Sequence, residues 1–177
     1  MKRTLSAAVV ILTFAITVAA QANCSRHVET AGGFSYCPPE GWIEQKKAEE
    51  KYSQFFGPDQ EGFTANLNIK DETSAAPLTD LVAASIKQIL LPASVEKMGV
   101  TSVSLVNQSE FITPSSVRGF KVEFRVELKS WIIRTVQYYF DAGVDKKFVL
   151  TFTSIEAQRA KLDPICDDSV KTLRLEK

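Results

Sequence analysis

The chain has little of what catalysis and metal binding most often draw on. Among 177 residues there is one histidine, His27, and there are three cysteines, Cys24, Cys37 and Cys166. A single imidazole excludes a multi-histidine metal centre, and the cysteines lack the Cys-x-x-Cys spacing of zinc ribbons and thiol oxidoreductases. Gly-rich phosphate loops and the Gly-x-Ser-x-Gly nucleophile elbow are missing as well. Charge of one sign is also missing: 21 basic side chains balance 21 acidic ones, so the chain has no general attraction for nucleic acid or anionic lipid. Where basic and acidic residues alternate, from Lys121 to Glu127, the pattern reads as a solvated sheet face and not as a nucleic-acid platform. Only one long apolar run exists, Leu5 to Val18, and it falls short of the roughly 18 residues of a spanning helix.

That run belongs to an export signal. Lys2 and Arg3 form the positive start, the apolar run follows, and Ala20-Gln21-Ala22 is a small-x-small cleavage site. Cleavage is expected between Ala22 and Asn23, giving a signal peptide over 1–22 and a single domain over 23–177. The mature chain is then about 155 residues, enough for one hydrophobic core. Loss of Lys2 and Arg3 leaves a net charge of about −2. The expected location is periplasmic or secreted, in soluble form and without a transmembrane segment. A lipid anchor fits less well, because Asn23 precedes Cys24 and Gln21 stands where leucine is usual. With 45% hydrophobic and 24% charged residues the composition is that of a folded domain.

Cys24 to Cys37 reads as a hairpin around Ala31-Gly32-Gly33, ended by Pro38-Pro39. Phe63, Ala65, Leu67 and Ile69 alternate with polar residues, which predicts a strand before a polar loop over 71–77. Leu78, Leu81, Val82, Ser85, Ile86, Ile89 and Leu90 recur at helical spacing up to Pro92. Strands are expected from Val103 to Ile112, from Phe120 to Leu128 with one wet and one dry face, and from Trp131 to Phe140 with both faces buried. Another strand runs through Phe148, Leu150 and Phe152. Leu162, Cys166, Val170 and Leu173 share a stripe on a terminal helix, with Pro164 in its first turn. The sum is an α+β fold: an antiparallel sheet of about six strands with helices packed on it.

An oxidising compartment favours a structural disulfide. Cys24–Cys37 is the first choice, since the hairpin brings the two together; Cys24–Cys166 is the alternative, and Cys166 otherwise fills the core as a small hydrophobe. A Cys–His nucleophile built from His27 with Cys37 or Cys24 is the sharpest catalytic idea. Acidic pairs at Asp59 and Glu61, at Asp71 and Glu72, at Asp167 and Asp168, and in the loop from Asp141 to Asp145 lack the pattern of a calcium loop. Asp167 and Asp168 read as first-turn helix residues. Trp42, Trp131 and Tyr138-Tyr139-Phe140 read first as core.

Several landmarks resemble the PsbP-like family. They are Gly33-Phe34-Ser35-Tyr36-Cys37-Pro38-Pro39-Glu40-Gly41-Trp42, then Tyr138-Tyr139-Phe140 followed by Phe148-Val149-Leu150-Thr151-Phe152, and finally Ser169-Val170-Lys171-Thr172-Leu173. The resemblance implies the α/β/α sandwich that this family shares with Mog-type proteins. Family members include extrinsic lumenal subunits of photosystem II, assembly factors and many exported bacterial proteins of unknown role. It therefore implies a non-catalytic, monomeric binding or assembly module with a protein partner in the cell envelope and no cofactor. The histidine-dependent metal sites of plant members have no residue here to inherit them beyond His27. The alternatives are an exported hydrolase or thiol-dependent enzyme, motivated by His27 and the odd cysteine, and a binder of small hydrophobic ligands, motivated by the aromatic residues.

Overall fold

The computed structural model describes residues 24–46, 48–60, 62–143 and 145–176. The signal segment and its cleavage point at Ala22 and Asn23 lie outside them. The chain opens with the hairpin of β1 (His27–Glu29) and β2 (Phe34–Tyr36), paired His27 to Tyr36, and Gly33 supplies the left-handed turn with φ +71°. There follow β3 (Ile43–Gln45), β4 (Gln54–Gln60), β5 (Phe63–Thr73), α1 (Leu78–Leu90) and α2 (Pro92–Met98). The second half is β6 (Ser102–Ile112), β7 (Arg118–Glu127), β8 (Ile132–Asp141), β9 (Lys146–Ile155), a 3-10 turn (Glu156–Gln158), α3 (Arg159–Lys171) and β10 (Arg174–Leu175).

The main sheet has seven strands in the order β3-β4-β5-β9-β8-β7-β6, all antiparallel, where about six were expected. The expected hairpin does not join it. β1 and β2 form a second sheet with β10, a two-residue strand too short to leave a sequence signature.

Register divides the main sheet into two faces. Leu67 pairs with Phe152, and Leu150 with Tyr138, so these side chains share one face with Phe140 and Phe148. That face is covered by α3 and by the small sheet, which contributes the fully buried Phe34 and Tyr36. On the other face Val122, Phe124, Tyr139 and Val149 meet Leu78 and Val82 of α1. The result is a sheet with helical cover on both sides. Burial of each large apolar side chain in these two cores contributes roughly 1.5–3 kcal/mol.

Three local expectations differ from the structure. β5 runs on through Asp71–Thr73, because Asp71, Glu72 and Thr73 still pair with Phe148, Lys147 and Lys146 of β9. Pro92 ends α1 but also opens α2 at its first position, and the chain bends by 67° at the extended Leu91. α2 stops at Gly99, which is left-handed with φ +66°. No single helix among the described residues is long and apolar enough to cross a membrane, although the bent pair α1 and α2 passes by length and composition. Pro164 sits inside α3 and not in its first turn; it has no N–H to offer the Ala160 carbonyl, and Ala160 is itself exposed.

The largest departure concerns β7. Half of its charged face is not wet: Glu123 is 6% exposed where α3 lies across Lys121 and Glu123, while Arg125 and Glu127 beyond it keep about a third of their side-chain surface in water.

Candidate functional site

Cys24 and Cys37 are bonded across the open end of the first hairpin, with their Cα atoms 5.8 Å apart, and Cys166 is a free thiol buried on α3. The terminal helix is held to the hairpin by hydrogen bonds instead of a disulfide. The Cys37 N–H donates to Thr172 Oγ1 at 2.7 Å, and the Ser169 hydroxyl donates to the Cys37 carbonyl at 2.6 Å. Arg26 Nη1 donates to Ser35 Oγ and to the Thr172 carbonyl, at 3.0 and 3.1 Å. Burial pushes the Cys166 thiol well above its ordinary range, so it is held as a neutral thiol and not as a nucleophile.

His27 is held from several sides. Its Nε2 lies 3.0 Å from Glu29 and its Nδ1 3.6 Å from Glu44, while Phe55 and Tyr36 stand edge-on to the ring at 5.1 and 5.7 Å. Glu29 is itself buried and accepts the Ser53 N–H at 2.9 Å. The two cysteines closest to it in sequence are joined to each other and offer no thiolate. A Cys–His nucleophile from Cys24 or Cys37 therefore has no chemical basis in this arrangement.

The acidic pairs separate. Asp59 closes a turn by accepting the Gly62 N–H at 3.0 Å, and Glu61 lies outside the described residues. Asp71 bonds Lys51, Asp141 lies 2.9 Å from Lys147, and Asp168 lies 2.7 Å from Lys171. Asp167 and Asp168 fall in the second half of α3 and not in its first turn. Among the described residues no group of three or more His, Cys, Asp or Glu is placed to hold a metal.

The aromatic residues do not line one groove. Tyr138 and Tyr139 project to opposite faces of β8 and both are buried. Trp42 packs on Phe152 at 5.6 Å, and Trp131 lies 6.3 Å from Phe63.

What the sequence did not announce is a charged network between β7, β8 and α3. Arg134 is 1% exposed and stands between Glu123, which it bonds directly, and Asp163, whose Oδ2 is 3.0 Å from its Nε. Lys121 lies 3.3 Å from Glu123 and 2.7 Å from Asp167, and Asp167 also accepts the Tyr138 hydroxyl. Arg159 adds a cation 3.4 Å from Asp163, so three basic groups face three acidic ones. Burial draws Lys121 down, but Asp167 and Glu123 outweigh it and hold its pKa above the ordinary lysine range. Burial first, then the neighbouring Cys166 and Asp167, raises the Tyr138 phenol far beyond normal titration. The network ties β7 and β8 to α3 through opposite charges, although Arg134 Nε and Asp163 Oδ1 are buried without a hydrogen bond. The signal for it was the pair Asp163 and Asp167, one turn apart beside the apolar stripe of α3.

Two surface depressions accompany this core. One of about 280 Å³ lies by Lys51, Tyr52 and Asp71. The other, about 470 Å³, lies between the start of α1 and the end of β6, lined by Leu78, Glu110, Ile112, Arg118, Phe120 and Asp141.

No family model and no curated protein matches this sequence. Solved structures do match in shape. Cyanobacterial PsbP from a Synechocystis species superposes with a TM-score of 0.65 at 14% identity, over 85% of this chain and 91% of that one. LpqN of Mycobacterium tuberculosis, described as involved in cell envelope biogenesis, gives 0.59 at 6% identity, over 89% and 88% of the two chains. The Saccharomyces cerevisiae Ran-binding protein Mog1p gives 0.55 at 12% identity, over 86% and 95%. At these identities the likeness is one of architecture, and it agrees with the resemblance carried by the Phe34–Trp42 and Tyr138–Phe152 segments. The chain has the PsbP-like fold.

Proposed function

We propose that this protein is an exported, non-catalytic binding or assembly domain that works on another protein of the cell envelope. The observation that carries the reading is how the reactive side chains are used. The histidine is wedged between two glutamates and two aromatic rings, two cysteines form a staple, the third is buried, and the inner charges neutralise one another. Chemistry is thus spent on holding the domain together, which leaves its surface for recognition. The fold neighbours support the same direction, since one is described as Ran-binding and another as involved in envelope biogenesis. The leader at 1–22 and a disulfide suited to an oxidising compartment support export of the 23–177 domain.

Crosslinking and affinity capture from the envelope fraction of the native host is the test. A partner recovered in fixed ratio with the mature chain is expected. Recovery of the chain alone, or thiol-dependent hydrolysis of small esters by the purified protein, would overturn the reading.

A further inference from the structure

We propose that the outer edge of β6 receives an extended, weakly charged segment of the partner protein as an added strand, with an apolar side chain of that segment resting in the groove beside α1. This rests on the binding-module reading above. β6 is the last strand of the seven-stranded sheet, so alternate N–H and C=O groups along its eleven residues face outward without a strand partner. Such a row, spaced at the strand repeat, is complementary to another extended backbone. A helix, whose backbone bonds are internal, does not satisfy it.

Edge strands are usually protected by charge, proline or brevity. β3, at the opposite edge, is protected by being only three residues long. β6 is long, holds no lysine or proline, and carries one charge, Glu110. Its register breaks between Leu105 and Asn107, near the middle of the strand, and leaves Asn107–Ile112 evenly paired with β7. Leu105 and Val106 at the break and Ile112 at the far end are 40%, 44% and 57% exposed, apolar side chains set along the edge.

The groove defines the chemistry of the segment. Gln108, Glu110 and Ile112 lie opposite Val122, Phe120 and Arg118, on the face that α1 covers, so an added strand would place alternate side chains beside the 470 Å³ depression. Leu78, Ile112 and Phe120 give it an apolar floor. Glu110 and Arg118 stand at its rim with no ion-pair partner among the described residues, one of each sign, and they favour a segment with little net charge. A second copy of this chain is the poorer occupant, because the regular half of its own β6 would offer the polar Gln108 and Glu110 to that apolar floor.

The test uses linear peptides displayed on phage, long enough to span β6 and selected against the mature chain. Enriched sequences are expected to alternate apolar with small polar residues. Their binding should fall roughly tenfold or more in a Leu105→Lys/Ile112→Lys variant, whose changes lie at exposed positions and should leave the melting temperature intact, and persist in Ile43→Lys at the other edge. Binding lost only with Ile43→Lys would overturn the assignment to β6 while leaving the protein-binding reading in place. Failure to enrich any peptide, or a parent dimer that the β6 variant dissolves, would overturn the added strand as well; the envelope capture decides the binding reading separately.

Discussion

Arg134 is a guanidinium with 1% of its surface exposed, set on a sheet face between two carboxylates. Two buried charges in contact add little net stability over an apolar pair, but removing one partner leaves the other stranded. Arg134→Met should therefore destabilise the domain by about 3–5 kcal/mol in urea unfolding, through Glu123 and Asp163 left without their shared cation. Lys121, Tyr138 and Cys166 make a different statement, because all three have folded pKa values above their ordinary ones. A group raised on folding contributes stability that is complete below its unfolded pKa and is lost as the pH climbs. Thermal melts should accordingly hold steady through neutral pH and fall from about pH 9 upward, where the unfolded thiol, phenol and amine begin to titrate. Cys166→Ala should flatten the first part of that decline; an unchanged alkaline limb would contradict the assignment.

Among the elements, the first hairpin shows what could be read ahead and what could not. Its turn and the nearness of Cys24 and Cys37 follow from the turn cluster Ala31-Gly32-Gly33 between Arg26-His27-Val28 and Phe34-Ser35-Tyr36. That it leaves the main sheet to pair with β10 does not, since Ser35 meets Arg174 across nearly the whole chain. Replacing both Cys24 and Cys37 with serine opens a loop of 13 residues and should cost about 3 kcal/mol. The hydrogen bonds to Ser169 and Thr172 would remain, so the variant should fold with a lowered melting temperature. β7 carries a second constraint at its start. A Cβ on Gly119 would run into the Tyr139 carbonyl oxygen and come within 2.8 Å of the Phe111 ring, so Gly119→Ala should weaken the β7–β8 pairing. The check is faster amide exchange in β6 and β7 than in β5 and β9.

At the scale of the molecule, the period of each strand and of α1 is local information, and most of the main sheet was legible from it. Alternation along Lys121 to Glu127 separates two faces but does not say what covers the charged one. That depends on Asp163 and Asp167, some 40 residues later, arriving over Arg134 and Lys121 with opposite charge. The same limit applies to β3 and β10, of three and two residues, whose pairing is set by their neighbours. The groove beside β6 was illegible for the same reason, since its walls come from α1, β6, β7 and β8.

Under the proposed function the cysteines and the leader form one device: export would deliver the chain to a compartment where the hairpin is stapled, while Cys166 stays in the core. Intact mass spectrometry of the protein from its host, without reduction and after alkylation in denaturant, examines both halves together. The predicted mass is that of a chain beginning at Asn23, two hydrogens lighter than the reduced form and carrying one alkyl group, on Cys166. A chain that retains residues 1–22, or one alkylated at Cys24, Cys37 and Cys166 alike, would contradict it.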